Sequence, residues 1–268
     1  MNRTINVDAA KVSFRVDGSG PGLVLLHGTG GNSDTNWSQL VGRLSESRTV
    51  IRPDYSGSGE TIDDGRALTV AMLAEQVVAA AEHAGATPFD LVGYSLGASV
   101  AIHIAAEFPS LVRSLVSLSG FADAADSRQQ MQWELWHDLI REDRKMMARM
   151  LLLTGFSPEF LARMKQADVE NVIEQIVETN NWDGMARQVE LDRTLDVRDQ
   201  AARITKPALV IGCTYDYMVP PVHSRRIAEL IPNARYVEIE TGHLSTLERP
   251  DQVAEMISNF ISSDFPAS

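Results

Sequence analysis

Short apolar, β-branched runs alternate with amphipathic segments through the first half of this chain, and the alternation resumes near the C-terminus. Such alternation predicts an α/β fold, with a mostly parallel central sheet and helices on both faces. The turn-forming residues 17–22 predict that the first two strands form a hairpin. The predicted strands span residues 11–16, 23–26, 49–52, 89–92, 111–118, 207–211 and 236–239, and the predicted core helices span residues 69–83, 95–107, 222–230 and 251–261.

A helical insertion interrupts this pattern, because no β-branched run occurs between residues 121 and 200. We therefore divide the chain into a first core part (1–120), a helical cap (121–200) and a second core part (201–268). Apolar residues at three-to-four-residue spacing from 135 to 151 predict one first cap helix with an apolar face. Such an apolar stripe is consistent with packing in the hydrophobic core, and it is also consistent with an adaptable apolar substrate pocket. The cap residues predicted for that pocket are Trp133, Trp136, Met147 and Met150.

The composition predicts a globular protein and argues against several kinds of partner. Of the 268 residues, 44% are hydrophobic and 22% are charged, which is enough for a sizeable core. A formal net charge of −12 disfavours nucleic acid. No apolar run approaches the roughly 18 residues of a membrane span, and no long apolar segment marks a secretion signal. Together with the single cysteine, Cys213, these features predict a cytoplasmic protein that acts on a small molecule.

The stretch Gly93-Tyr94-Ser95-Leu96-Gly97 lies between a predicted buried strand and a predicted Ala-rich helix. A serine in that context is typical of a nucleophile on a sharp strand-to-helix turn. The flanking glycines leave room where a Cβ would clash, so the turn presents the serine clear of the sheet. Ser95 is therefore the predicted nucleophile.

A serine hydroxyl needs a base that takes its proton and a third group that orients the base. His243 follows the predicted strand 236–239, and Asp216 follows the predicted strand 207–211. Both residues thus belong to the carboxyl edge of the sheet, where parallel sheets build their sites. We predict that His243 is the base and that Asp216 orients it.

Acyl transfer also needs donors for the developing oxyanion, which backbone amides can supply. The predicted donors are the amide of Leu96 and the amide of Thr29, which lies in the Gly-rich stretch 27–31 after a predicted strand. A Gly-rich loop can instead bind phosphate, but this spacing matches neither the dinucleotide pattern nor the P-loop. The remaining predicted pocket residues adjoin these elements and are His27, Gly28, Tyr94 and Val219.

The chain resembles the α/β-hydrolase superfamily over nearly all of its length apart from the insertion, which falls where that family carries its cap. The region 207–250 is further similar to the 3-oxoadipate enol-lactonase and carbon-carbon bond hydrolase branches. The motifs that carry the resemblance are His27-Gly28, residues 52–59, the turn around Ser95, Asp216 with Val219-Pro220, and Gly242-His243 followed by residues 248–250.

The resemblance implies a triad of Ser95, Asp216 and His243 in the family's chain order, with no cofactor and no metal. It also implies that His27 braces the oxyanion loop. Asp123 is the competing acid, because some branches of the superfamily place the triad acid after the corresponding strand. We prefer Asp216.

Ser95 stands where related dehalogenases and epoxide hydrolases carry an aspartate, so the resemblance favours hydrolysis of a carboxylic ester, lactone or thioester through an acyl-enzyme. The same triad would also serve carbon-carbon bond hydrolysis or peracid formation. An alternative of another class is a non-catalytic ligand receptor on the same scaffold. The cap carries ten basic and 16 acidic residues, a formal charge of −6, which disfavours a polyanionic substrate. Its apolar stripes predict an apolar acyl portion.

Overall fold

The computed structural model describes residues 2–263, and an eight-stranded sheet forms the centre of that part of the chain. The strand order is β1-β2-β4-β3-β5-β6-β7-β8, in which β1 and β2 are antiparallel to their neighbours and the other strands are parallel. This confirms the predicted α/β fold. The strands are β1 (Asn2–Val7), β2 (Ala10–Asp17), β3 (Gly22–Leu26), β4 (Thr49–Asp54), β5 (Phe89–Tyr94), β6 (Val112–Leu118), β7 (Ala208–Cys213) and β8 (Arg235–Ile239).

Helices cover both faces of the sheet, because successive strand side chains point to opposite sides. The core helices are α1 (Ser38–Leu44), α2 (Val70–His83), α3 (Leu96–Glu107), α10 (Pro221–Leu230), α11 (Ser245–Glu248) and α12 (Pro250–Ile261). In β3, Val24 and Leu26 join the apolar cluster that contains residues of α2, α3 and α10, whereas Leu23 and Leu25 join the cluster that contains residues of α1 and α12.

The hairpin predicted between the strands at residues 11–16 and 23–26, which are β2 and β3 in the structure, is wrong. β2 pairs with β1 and β4, while β3 lies between β4 and β5. The chain after β2 therefore crosses to the interior of the sheet, where all of β3 is buried. β1 was not predicted, because most of its side chains are polar and exposed, so its sequence lacks an apolar face.

Within the described residues, the segment between β6 and β7 contains six helices and no strand, apart from one isolated β-bridge between Asp123 and Asp196. The helices are α4 (Ser127–Glu142), α5 (Arg144–Gly155), α6 (Pro158–Arg163), α7 (Gln166–Thr179), α8 (Trp182–Asp192) and α9 (Arg198–Ala202). The predicted first cap helix is two helices, because Asp143 ends α4 and its side chain caps α5 by accepting a hydrogen bond from the Met146 amide. The predicted cap boundaries stay a prediction.

None of the helices within residues 2–263 combines the length and the apolar character needed to cross a bilayer.

Candidate active site

Ser95 lies in the sharp turn that joins β5 to α3. Its backbone angles are φ +56° and ψ −123°, a conformation that costs a residue other than glycine about 1–3 kcal/mol. The turn is so tight that a Cβ at Gly93 would lie 2.2 Å from the carbonyl oxygen of Gly97. Strain of this kind persists only where the surrounding structure imposes it, and it concentrates at functional sites.

The carboxyl ends of β7 and β8 bring Asp216 and His243 together. His243 Nδ1 lies 2.6 Å from Asp216 Oδ2, and Asp216 Oδ1 accepts hydrogen bonds from the amides of Met218 (2.9 Å) and Val219 (2.7 Å). Both side chains of the pair are buried. The carboxylate is thus fixed by backbone donors, and a proton held on Nδ1 leaves the Nε2 lone pair of His243 free to act as a base.

Tyr94 joins the Ser95 turn to the His243 loop. Its hydroxyl donates to the backbone carbonyl oxygen of His243 at 3.0 Å, and the two rings are 5.0 Å apart between centroids. Burial, followed by the charge of Asp216, raises the pKa of Tyr94 well above its ordinary value. Tyr94 is therefore a neutral phenol. Because it directly precedes Ser95, its hydrogen bond connects the serine turn to the loop that carries His243.

Glu248 ties the same histidine loop to the helical insertion. Its Oε1 accepts hydrogen bonds from the amides of Gly242 (2.9 Å) and Ser157 (2.7 Å), and its Oε2 accepts one from the Ser157 hydroxyl (2.6 Å). The amide of Leu244 also donates to the carbonyl oxygen of Gly155 at 2.8 Å. Hydrogen bonds to an ionised carboxylate are among the stronger ones, so the loop that carries His243 is fixed from two sides.

The Gly-rich loop after β3 passes directly beside Ser95. A Cβ at Gly28 would lie 2.9 Å from the Ser95 Cβ and 3.3 Å from the Tyr94 ring. Within residues 2–263, no hydrogen bond is made by the backbone amides of Thr29 and Leu96. Both amides are therefore available as donors in the two segments next to Ser95, and their role as oxyanion donors stays a prediction.

The core braces this loop through its own side chains. The Gly28 carbonyl oxygen lies 2.9 Å from His27 Nδ1, and the Gly28 amide donates to Asn36 Oδ1 at 3.0 Å. His27 stacks on Tyr55 with centroids 4.0 Å apart, and burial lowers the pKa of His27. A neutral His27 thus contacts the backbone of the loop, and the bracing role that the resemblance implied stays a prediction.

Two buried polar residues of α8 reach the same loop, and neither was predicted as a site residue. Gln188 Oε1 accepts a hydrogen bond from the Gly30 amide at 2.8 Å, and Asp192 Oδ2 accepts one from the Thr29 hydroxyl at 2.6 Å. Their four-residue spacing places them on one helix face, beside the apolar Met185 and Val189. The sequence signal that could have identified them is the presence of polar residues on an otherwise apolar helix face.

The predicted apolar pocket residues of the insertion are packed rather than exposed. Trp133, Trp136 and Met147 are buried in the cluster that also contains Leu96 and Val219, and Met150 packs against it. The Trp133 and Trp136 rings meet edge-on with centroids 5.1 Å apart. The stripe therefore belongs to the same apolar cluster as core residues of the sheet and its helices, and its use as a pocket stays a prediction.

The competing acid Asp123 makes other contacts. Its Oδ1 accepts a hydrogen bond from the Ala125 amide at 3.0 Å, and its Oδ2 lies 3.6 Å from Arg226 Nε and 3.8 Å from Arg198 Nε. The carboxylate that contacts His243 is that of Asp216. The geometry therefore favours Asp216 over Asp123.

Cys213 is a neutral thiol next to this site. Burial raises the pKa of Cys213 to about 11, and its Sγ lies 3.0 Å from the Ser119 hydroxyl. A protonated thiol is a poor nucleophile and a poor metal ligand. Among the residues that the structure describes, no three His, Cys, Asp or Glu side chains are grouped so that they could hold a metal ion.

Comparison with known proteins places the chain in a family. Residues 21–250 match the family model described as the alpha/beta hydrolase fold. The sequence is 50% identical over 264 residues to pyrrolizixenacetamide deacetylase of Xenorhabdus hominickii, covering 98% of this chain and 99% of the relative. The structure is similar to that of a hydrolase from Pseudomonas aeruginosa PA01, with a TM-score of 0.87, 27% identity and 98% of each chain covered.

The fold is also that of the enol-lactonase from Burkholderia xenovorans LB400, with a TM-score of 0.87, 24% identity, and coverage of 97% of this chain and 100% of the lactonase. The family match spans more than half of the chain, and the deacetylase aligns along nearly its whole length. The chain therefore belongs to the α/β-hydrolase family and is a hydrolase of that family.

Proposed function

We propose that this protein is a serine hydrolase that cleaves an acyl bond through an acyl-enzyme on Ser95. The observation that carries the proposal is a strained serine at the end of β5 together with a buried His243–Asp216 pair 2.6 Å apart. Both lie at the carboxyl edge of the same sheet, and the Tyr94 hydroxyl links the serine turn to the His243 backbone.

In the proposed mechanism, Ser95 Oγ attacks the acyl carbon while His243 Nε2 takes the hydroxyl proton. Asp216 stabilises the resulting imidazolium through Nδ1. The amides of Thr29 and Leu96 donate to the oxyanion, and His243 then delivers its proton to the leaving atom. A water molecule deprotonated by His243 attacks the acyl-enzyme, and the collapse of that intermediate returns the proton to Ser95 and releases the acid.

The proposed substrate class includes carboxylic esters, lactones, thioesters and N-acyl amides with an apolar portion. The amide is added because the relative that is 50% identical is named a deacetylase of an acetamide. Amide cleavage makes the proton delivery by His243 essential, because an amine leaves only when its nitrogen is protonated. The buried tryptophans and methionines that share one apolar cluster with Leu96 support an apolar acyl portion.

A fluorophosphonate probe tests the nucleophile. We expect stoichiometric labelling of the folded protein at Ser95, identified by peptide mapping, and no labelling of the unfolded protein. Ser95→Ala abolishes both labelling and turnover. Ser99→Ala is the matched control one turn further along α3, where the hydroxyl donates to the Phe121 carbonyl oxygen, and it retains labelling.

A substrate panel tests the reaction. We expect hydrolysis of p-nitrophenyl acetate and of an N-acetyl arylamine, and rapid quenching should trap one acetyl group on Ser95. Ligand binding without labelling or turnover would contradict the proposal and favour the receptor alternative. Preference for a vinylogous diketone, or for peracid formation from hydrogen peroxide, would keep the triad but replace the substrate class.

A further inference from the structure

One face of the helix α8 is docked on the core loops beside Ser95. Gly184, Gln188 and Asp192 follow one another at four-residue spacing, which aligns them along the helix. A Cβ at Gly184 would lie 2.0 Å from the carbonyl oxygen of Gly57, so the helix backbone rests directly on the loop after β4. This close approach brings the next two residues of the face to the loop after β3.

Gln188 and Asp192 each bind one side of the Thr29–Gly30 unit. The Gly30 amide donates to Gln188 Oε1 at 2.8 Å, and the Thr29 hydroxyl donates to Asp192 Oδ2 at 2.6 Å. Gln188 is itself oriented by donating from Nε2 to the Ser58 hydroxyl at 2.7 Å. Both side chains are 0% exposed, so these hydrogen bonds do not compete with solvent.

Stability alone does not account for this pair. Burying a carboxyl group is costly even when it is neutral, and the second oxygen of Asp192, Oδ1, is buried without a hydrogen-bond partner among residues 2–263. An apolar side chain of similar size would avoid that cost. The polar atoms of Gln188 and Asp192 instead accept hydrogen bonds from the Gly30 amide and the Thr29 hydroxyl, in the loop that carries the proposed oxyanion donor.

We propose that Gln188 and Asp192 are positioning residues that hold the Thr29–Gly30 segment so that the Thr29 amide points at the acyl oxygen. This inference depends on the proposed function. The core fixes the preceding residue, since Gly28 is bound by His27 and Asn36. The α8 pair fixes the segment that follows, so the oxyanion site is complete only while α8 is docked.

The expected result is a selective loss of kcat. Asp192→Ala and Gln188→Met should lower kcat for p-nitrophenyl acetate by about 10- to 100-fold, part of the loss seen when one oxyanion donor is removed. KM should change little, because the ester oxygen is bound more strongly in the transition state than in the ground state. Each kcat is expressed per serine titrated with the fluorophosphonate probe, so that unfolded protein does not contribute.

Conservative variants provide the rescue. Asp192→Asn and Thr29→Ser keep an acceptor and a hydroxyl at the same contact, and they should recover most of the kcat lost in Asp192→Ala and Thr29→Val. In a double-mutant cycle, Thr29→Val and Asp192→Ala should be non-additive, because they remove the same hydrogen bond. A purely structural role would lower thermal stability without this pattern in kcat.

An inhibitor that forms a tetrahedral adduct reports on the oxyanion site directly. The Ki of an aryl trifluoromethyl ketone should rise in parallel with the loss of kcat/KM across the Asp192, Gln188 and Thr29 variants. Asp183→Ala is the matched control, since Asp183 is exposed on the same helix, and it should leave kcat and Ki unchanged.

Two outcomes are distinguishable. If the wild type is labelled and turns over, but Asp192→Ala and Gln188→Met keep the wild-type kcat per titrated serine and the wild-type Ki, the positioning role is overturned and the proposed function stands. If the wild type is neither labelled nor active on the substrate panel, the proposed function fails, and the positioning role fails with it.

Discussion

Replacement of Asp192 by asparagine should make the stability of the protein depend differently on pH. Asp192 is 0% exposed, and burial, partly opposed by the Thr29 hydrogen bond, raises the pKa of its carboxyl group well above the ordinary value. The folded protein therefore keeps a proton on Asp192 at pH values where the unfolded chain has released it. Asp192→Asn removes this titration and leaves an oxygen that accepts from Thr29.

The sign of the effect comes from counting bound protons. Between the unfolded and folded pKa values, the native wild type binds more protons than the unfolded state, so its free energy of unfolding falls as pH rises. One group contributes a slope of up to about 1.4 kcal/mol per pH unit. The free energy of unfolding of Asp192→Asn relative to wild type should therefore increase as pH rises through the range in which the folded wild type alone holds the proton, with a slope of at most that size.

Urea unfolding followed by tryptophan fluorescence at pH 5.5, 6.5 and 7.5 measures this difference. Trp182 lies on the same helix as Asp192, so the signal includes the docked helix. Asp183→Asn is the control, because it removes one exposed carboxylate from that helix. A difference between Asp192→Asn and wild type that is constant, or that shrinks as pH rises, would show that Asp192 is ionised in the folded protein and would refute the reasoning.

Three further predictions concern the proposed triad and its supports. Asp216→Asn should lower kcat by about 10³- to 10⁴-fold, because His243 loses the acceptor for Nδ1, while Asp123→Asn should leave kcat per titrated serine unchanged. Glu248→Gln should reduce the free energy of unfolding by about 1–3 kcal/mol, measured in urea, because Gly242 and Ser157 lose a charged acceptor. Gly28→Ala should lower kcat by roughly 100-fold in a folded protein, because the new methyl group displaces the loop from Ser95.

The proposed triad can be located from the sequence because each of its members follows a predicted strand. An apolar run marks the strand, and the end of a parallel strand fixes the edge of the sheet at which the next residue lies. Ser95, Asp216 and His243 therefore needed no long-range information beyond the order of elements along the chain. The hairpin predicted from residues 17–22 was wrong, because a turn-forming sequence does not determine which strands pair. In the structure, β3 lies between β4 and β5.

The supports of the loops were not predictable in this way. Gln188 and Asp192 contact residues more than 150 positions earlier in the chain, and their role depends on how α8 docks on the core. Their place beside the apolar Met185 and Val189 marks a mixed helix face, but it does not state which loop that face contacts. The amides of Met218 and Val219 that hold Asp216 were equally hidden, because a backbone donor leaves no mark in the sequence.

The two loops on which the proposed chemistry depends are both held by the helical insertion. Glu248 joins the His243 loop to Ser157, at the start of α6, and Asp192 of α8 binds Thr29 on the oxyanion side. These attachments lie on different helices and secure different steps, proton transfer and oxyanion stabilisation. If the insertion only covered the substrate, changes in it would alter KM alone. Because it also holds both loops, substitutions at these contacts should act on kcat, and kcat per titrated serine is the quantity that separates the two roles.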